Sequence, residues 1–334
     1  MGYGDMAREV DAIESGLGVL VLEPAEVMLV RGSDAAVFLH GLTTNDVKGL
    51  AIGQAKHQLL CATKGKIVHH VVVVKVREDT LAVVCEPGEA ASVAGHLEHY
   101  HIREDAEMGR VELVRVDLLG PGGEMGLKAL GLPLGSVEGK FGEAPVLTPL
   151  LPAGHGAKTS GLQRIMTLLP PQIAAEYVEA LLKTDGAQLV GWEAYDEARI
   201  WAGIPRYGVD YAKEFFPGEA TLYTHISFEK GCYVGQEIHA RMHYRGHPNR
   251  KLVAVEVSAA TAAQVTTGAE LFHGEKAIGT LTSLAQHDRE DRRRGIALLR
   301  YDALQENPAF SLQANGEAEV TWHPLATDIG GAKG

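Results

Sequence analysis

The stretch Ile226–Glu237 reads ISFEKGCYVGQE, and it is the most unusual local sequence in this chain. Two glycines flank its thiol, Cys232, and glycine lets the backbone turn tightly or approach a ligand closely. If Gln236–Tyr244 is helical, Cys232 lies just before the helix N-terminus, with the cation of Lys230 close by. Both features favour the thiolate form of cysteine. The pattern indicates a nucleophilic or metal-binding thiol; the alternative is a small residue that fills space in a tight turn.

Composition sets the class of protein and excludes several functions. The chain has 334 residues, 46% hydrophobic and 22% charged, which is typical of a globular protein of about two domains. Apolar runs fall short of the roughly 20 residues of a membrane span, and the acidic N-terminus does not resemble a secretory signal. Three widely spaced cysteines without a CxxC pair give no disulfide framework. We therefore expect a cytoplasmic protein with no membrane partner.

Charge is distributed unevenly along the chain. The net charge of −12 disfavours binding to nucleic acid. Residues 230–251 nevertheless hold five lysines and arginines against one acid, a local charge of +4, which indicates an anionic ligand or a solvated cationic face. This basic island also carries His239, His243 and His247 at a spacing of four, but Gly246 and Pro248 interrupt the helix that would align them. We predict no metal site there.

Local patterns predict a mixed fold with a boundary near residue 250. A β-hairpin is expected over His57–Ala62 and Lys66–Val76, with Cys61 and Cys85 in buried strands. Ser33 is the expected N-cap of a helix near Asp34–His40, and residues 131–160 are expected to be surface connection. Further expected elements are strands Leu17–Leu22, Ala25–Val30 and Val111–Leu119, and helices Pro171–Lys183 and Trp192–Trp201. After Pro248, short strands without helices indicate a small, nearly closed β unit.

Several segments together resemble one known family. Ile226–Glu237 resembles the signature of the YgfZ family, folate-binding proteins tied to the assembly or repair of iron–sulfur enzymes and similar in fold to the aminomethyltransferase (T-protein) of the glycine cleavage system. Ser33–Val47 resembles the family's first helix and loop, and Lys64–Ile67 its hairpin. Ala202–Gly208 resembles a segment that lines the folate pocket, and Gly279–Ser283 resembles the terminal barrel. The resemblance covers about residues 17–322.

The resemblance implies an α+β, aminomethyltransferase (T-protein)-like folate-binding fold with a C-terminal β-barrel. Residues 1–248 would form the folate-binding region, in two lobes of about 1–120 and 121–248, and residues 249–334 the barrel. The function implied is that of a folate-binding accessory protein in iron–sulfur cluster assembly or maintenance. Its partners would be a reduced folate and iron–sulfur enzymes or assembly proteins.

The same resemblance assigns site residues and a cofactor. Cys232 and Lys230 form the expected reactive pair. The cofactor would be tetrahydrofolate or a derivative, and the residues themselves give no ligand set for an iron–sulfur cluster. Arg241 would pair with an anionic part of the ligand, and Trp201, where the family commonly has Glu, would stack on the folate ring or pack in the core. The full folate-binding set is Asn45, Trp201, Tyr207, Gln236, Glu237 and Arg241.

One departure bears on catalysis. The T-protein carries a catalytic Asp on the strand after the hairpin, and the matching positions here are His69 and His70. Histidine does not replace a carboxylate beside a developing cation, so we expect no glycine-cleavage aminomethyltransferase activity. Two alternatives stay open: a folate-dependent one-carbon transferase, and a non-catalytic scaffold that has lost folate binding.

Overall fold

The computed structural model describes residues 2–151, 162–305, 309–317 and 319–327, and its strands form two sheets. The large sheet has nine strands in the order β2-β3-β4-β1-β5-β8-β7-β6, and β9 pairs with β1 off this path. Their bounds are β1 Leu17–Arg31, β2 Ala55–Cys61, β3 Ile67–Arg77, β4 Thr80–Cys85, β5 Glu107–Leu119, β6 Ser136–Phe141, β7 Ala144–Thr148, β8 Arg164–Leu169 and β9 Ala187–Leu189.

The second sheet has the order β11-β12-β13-β10-β14 and begins at Arg250. Its strands are β10 Arg250–Ser258, β11 Glu270–His273, β12 Lys276–Leu284, β13 Arg292–Arg300 and β14 Thr321–His323. Valine, leucine and isoleucine side chains from its inner face form a core of their own around Phe310. An isolated bridge between Phe310 and Val320 extends the pairing.

Helices lie against both sheets. In the described chain the α-helices are α1 Met6–Ser15, α2 Ala35–Leu42, α3 Ala90–Tyr100, α4 Gly123–Ala129, α5 Pro171–Leu181, α6 Trp192–Trp201, α7 Gln236–Arg245, α8 Ala259–Ala262 and α9 Tyr301–Gln305, with a 3₁₀ turn at Tyr223–His225. Within these described residues, no helix is long and apolar enough to cross a membrane.

The predicted hairpin is confirmed, and its register matters for the site. In β2 and β3, His57 lies opposite Val72 and Leu59 opposite His70, and the register shifts by one residue between Leu60 and Cys61. Residues directly opposite in an antiparallel pair share a face of the sheet. The side chains of His57 and His70 therefore project from the same face.

Alternation along β3 separates the two faces of the large sheet. Val71 and Val73 pack with α2 and α3 on one face, whereas Val72 and Val74 belong to the core on the other. His69 lies on the same face as Val71 and Val73, and its Nδ1 lies 2.5 Å from Oε2 of Glu89 beside α3. Of His69 and His70, which the resemblance matches to the catalytic Asp of the T-protein, only His70 faces away from these helices.

A buried arginine connects helix α6 to the second sheet. Arg199, on α6, is 1% exposed, pairs with the carboxylate of Asp210 and donates to Ser283 Oγ on β12 at 2.8 Å. Asp210 also accepts from Thr282 Oγ1 at 2.6 Å. Because every member of this buried network has a partner, the network fixes how α6 lies against the second sheet.

Some local predictions were wrong. The stretches on either side of Pro24 form one strand, β1, with a register shift between Leu22 and Ala25 against β5. Residues 131–160, expected as surface connection, contain the hairpin β6–β7; the part from 152 to 160 lies outside the described residues. Asp34 occupies the N-cap of α2, because the hydroxyl of Ser33 bonds instead to Asp105 Oδ2 at 2.9 Å.

Candidate functional site

A cleft lies on one face of the large sheet, the face from which the side chain of His70 projects. It encloses about 1140 Å³ of space, part of it open to solvent. The strands β2, β3, β5 and β8 form its floor, and α6, the segment 204–211 and the 3₁₀ turn form its walls. Aromatic side chains in the lining are Trp192, Tyr195, Tyr207 and Tyr211.

Arginines give one side of the cleft a positive charge. Arg115 and Arg164 each donate from Nε to the carboxylate of Asp117, at 2.8 Å. Burial favours the neutral acid, but the two guanidinium groups hold the pKa of Asp117 below its ordinary value. Arg206 lies over Trp192 and is also part of the lining. Two guanidinium groups share one buried carboxylate, so the pair retains positive charge toward the cleft.

Three histidines meet at the inner end of the cleft. His57 on β2, His70 on β3 and His225 on the 3₁₀ turn form what we call the histidine cluster, and one nitrogen from each lies within 4.8 Å of the other two. His57 Nδ1 is 3.0 Å from His70 Nε2. On the opposite side, Tyr211 Oη is 2.9 Å from His70 Nδ1, and Glu86 Oε1 lies 3.7 Å from that nitrogen.

Burial controls the charge state around His70. Desolvation lowers the pKa of His70; the carboxylate of Glu86 opposes this, and Arg164 and Arg115 add to it. Burial also raises the pKa of Tyr211 well above its ordinary value. The inner end of the cleft therefore presents a neutral His70 imidazole beside a neutral Tyr211 phenol at physiological pH.

Hydrogen bonds from Lys230 anchor the loop that carries Cys232. We call Ile226–Gly235 the thiol loop. Lys230 Nζ donates to the carbonyl oxygens of His40, Thr43 and Asn45 at 2.5, 2.6 and 3.1 Å. Burial lowers the pKa of Lys230 to about 8. Lys230 thus anchors the thiol loop to the end of α2, while Cys232 is exposed.

Gly235 ends the thiol loop in a conformation that suits glycine. Its φ is +89°, and a Cβ there would lie 2.9 Å from the carbonyl oxygen of Ala62 in the β2–β3 turn. Helix α7 begins at the next residue, Gln236, which confirms the predicted helix after Cys232.

The structure separates the residues expected to bind folate. Tyr207 lines the cleft and donates from its hydroxyl to Val68 O at 3.1 Å. Asn45 lies behind the histidine cluster, with Nδ2 3.3 Å from His57 O. Trp201 lies elsewhere: its Nε1 donates to Glu197 at 2.9 Å.

The α7 residues of the expected set are also outside the cleft lining. Gln236 and Glu237 form the first turn of α7, and Arg241 pairs with Glu237 at 2.9 Å on the exposed side. The histidines of the basic island do not meet either. His239 is buried with Nε2 2.7 Å from Gly65 O, whereas His247 stacks on Tyr301.

Sequence reasoning missed most of the cleft. The lining residues that it did not place there include His57, His225, Arg115, Arg164 and Tyr211. For His57 and His70, the available signal was two histidines in facing arms of a predicted hairpin. The remaining four come from distant parts of the chain, and no local pattern joins them.

Comparisons with known proteins agree with this architecture. The GCVT N-terminal domain model matches residues 3–135, and the CAF17 C-terminal beta-barrel domain model matches residues 249–326. With these two domains the chain matches a YgfZ-type relative of the T-protein fold. The resemblance found in the sequence is thereby confirmed, and so is the α+β, T-protein-like fold with a C-terminal barrel domain.

Named relatives and a solved structure give the extent of the similarity. The aminomethyltransferase of Desulfitobacterium hafniense is 27% identical over 267 residues, 76% of this chain and 71% of the relative. That of Listeria monocytogenes serotype 4b is 27% identical over 314 residues, 89% and 82% of the two chains. The crystal structure of glycine cleavage system aminomethyltransferase T from Bartonella henselae matches with a TM-score of 0.79, covering 96% and 89% of the two chains. At 20% identity, the similarity to that structure shows the fold alone.

Proposed function

We propose that this chain binds a reduced folate in the cleft and acts, through the thiol of Cys232, as an accessory protein in iron–sulfur cluster assembly or maintenance. The observation that carries the folate assignment is the cleft itself. An aromatic wall leads to a pair of arginines that share one buried carboxylate, on the fold of relatives named aminomethyltransferase.

The residues present fit such a ligand. A folate has a fused aromatic ring at one end and glutamate carboxylates at the other. Tyr207 and Tyr195 offer aromatic surface for the ring system, and Arg164 and Arg206 offer guanidinium groups for the carboxylates. When bound, a reduced folate carries one-carbon units on its nitrogens. The side chains of the cleft would bind and orient it and exclude water from it.

The exposure of Cys232 supports the second half of the proposal. It is the free cysteine that reaches solvent, while Cys61 and Cys85 are buried. A thiol on a well-anchored loop can contact a partner protein or its metal cluster without unfolding of the loop. Free cysteines are typical of a reducing compartment. We therefore propose that the protein acts in the cytoplasm.

A folate-dependent one-carbon transferase is the second candidate, and Glu86 favours it. The catalytic Asp position holds histidine, but the Glu86 carboxylate lines the cleft and lies 3.7 Å from His70 Nδ1. A carboxylate at this place supplies the negative charge that histidine cannot supply. Turnover of an aminomethyl donor with tetrahydrofolate that disappears in Glu86→Gln would establish this function.

Fluorescence titration with tetrahydrofolate tests the folate assignment. Arg206→Gln removes a cleft cation, and Arg241→Ala removes an exposed cation on α7 outside the cleft lining. Bonds to a charged group contribute about 1.5–3 kcal/mol, so Arg206→Gln should weaken binding roughly 10- to 100-fold. Arg241→Ala should leave binding unchanged. Loss of binding in Arg241→Ala alone would place the ligand on the basic island, and no binding by the unchanged chain would favour the scaffold alternative.

The role of Cys232 needs a cellular test. In cells that lack the protein, Cys232→Ser should restore folate binding but not the activity of iron–sulfur enzymes. Cys85→Ser, at a buried strand position, is the matched control and should restore both if it folds. Full rescue by Cys232→Ser would show that the thiol has no part in the function.

A further inference from the structure

The histidine cluster has no role in the folate assignment. It brings three imidazoles from three separate elements to one point of the cleft, with ring centroids 5.1 Å apart for His57–His70, 4.7 Å for His57–His225 and 5.0 Å for His70–His225. We propose that His57, His70 and His225 hold a divalent transition-metal ion at the inner end of the cleft, with a fourth position open toward the cleft.

The distances fit metal coordination. In a tetrahedral zinc site with nitrogen ligands at about 2.0–2.1 Å, the ligand nitrogens are roughly 3.3 Å apart. His57 Nδ1 and His70 Nε2 are already 3.0 Å apart, and one nitrogen from each ring lies within 4.8 Å of the others. Closure around an ion therefore needs a side-chain shift of at most about 1.5 Å.

The surroundings orient two of the rings. A metal-binding imidazole usually donates its second N–H to an oxygen acceptor, which fixes the ring and its tautomer. If His70 binds through Nε2, its Nδ1–H faces Tyr211 Oη at 2.9 Å, with Glu86 just beyond at 3.7 Å. His57 would bind through Nδ1, the nitrogen that faces His70.

The backbone of the cluster is also fixed. Thr44 Oγ1 donates to His225 O at 2.7 Å, and Asn45 Nδ2 lies 3.3 Å from His57 O. These hydrogen bonds hold the backbone of His57 and His225 against residues 44–45. His70 is fixed by its place in strand β3. Ligands carried by a rigid backbone lose little conformational entropy when an ion binds.

The ligand set selects the class of ion. Imidazole nitrogen suits zinc, copper, nickel and iron, whereas magnesium and calcium prefer oxygen ligands. Three protein ligands with an open fourth position are typical of zinc sites that keep a water or a substrate atom. The ion would therefore be of the zinc type and accessible from the cleft.

Cobalt(II) binding to the tag-free, chelator-treated chain tests the proposal without folate. We expect one Co²⁺ per chain, with the visible absorption bands of a low-coordinate nitrogen site, and displacement by Zn²⁺. His57→Gln, His70→Gln and His225→Gln should each weaken binding at least about 100-fold. Tyr211→Phe should weaken it about 10-fold through the orientation of His70.

Two controls separate this site from adventitious binding. His99→Gln removes an exposed histidine on α3, and Cys232→Ser removes the exposed thiol; both should bind Co²⁺ like the unchanged chain. Circular dichroism checks that each cluster variant is folded. Absence of Co²⁺ and Zn²⁺ binding at micromolar concentration, retention of full affinity by folded His70→Gln, or loss of binding in Cys232→Ser would each overturn the proposal. Because no folate is present, none of these outcomes depends on the folate assignment.

Discussion

Replacement of Lys230 by methionine tests whether this lysine anchors the thiol loop. Its ammonium donates to the carbonyl oxygens of His40, Thr43 and Asn45 at 2.5–3.1 Å. A hydrogen bond to a charged group contributes about 1.5–3 kcal/mol. Burial of the ammonium opposes this gain, as its lowered pKa shows, and the three bonds are not additive. We expect Lys230→Met to lower the free energy of unfolding by about 2–4 kcal/mol.

The effect is measurable by thermal and urea denaturation. For a chain of this size a loss of that order lowers Tm by about 3–6 °C. Lys64→Met, an exposed lysine in the neighbouring β2–β3 turn, is the control and should change Tm by less than about 1 °C. Local opening should also make Cys232 alkylate at a different rate in Lys230→Met. Equal Tm values for the two variants would refute the anchoring role and return Lys230 to the reactive role expected from the sequence.

Three further predictions follow from burial and from backbone geometry. Iodoacetamide should label Cys232 well before Cys61 and Cys85, since Cys232 is exposed while burial raises the pKa of Cys85 to about 12 and that of Cys61 further; mass spectrometry of the labelled peptides measures this. Gly235→Ala should destabilise the chain by about 1–3 kcal/mol in urea, because a Cβ at a φ of +89° is strained and meets a backbone oxygen at 2.9 Å. Stability should fall as the pH drops from about 6.5 toward 4: burial lowers the pKa of His96 to about 4, so the unfolded chain binds more protons in this range, and His96→Asn should reduce the slope.

Local patterns predicted the elements well where one physical signal dominated. The β-branched arm Lys66–Val76 specified the hairpin, and the glycines before Gln236 marked the start of α7. Cys61 and Cys85 are buried in strands, as their apolar neighbours indicated. In these cases the signal lies within a few residues, so no knowledge of distant contacts is needed.

The cleft could not be predicted in the same way, and the β-hairpin shows why. Without the register shift, His70 would lie opposite residue 58, and the side chains of His57 and His70 would leave opposite faces of the sheet. Leu60 pairs with His69 and Cys61 pairs with Ile67, so β3 has one extra residue between these two pairs. This extra residue places His70 opposite Leu59 and brings both histidines to the cleft. A bulge of this kind depends on tertiary packing. The positions of Arg115, Arg164 and His225 likewise follow from strand order and from chain segments far apart in sequence.

Thr44 and its neighbours connect the two candidate sites. The carbonyl oxygen of Thr44 accepts from Ser227 N at 3.0 Å in the thiol loop, and its Oγ1 donates to His225 O at 2.7 Å in the histidine cluster. Asn45 also contacts both sites: its backbone carbonyl accepts from Lys230 Nζ, and its side-chain amide lies near His57 O. Thr44 and Asn45 therefore join the backbone of the histidine cluster to the thiol loop through hydrogen bonds of 2.7–3.3 Å, which suits a protein whose ligand and reactive group lie at different places.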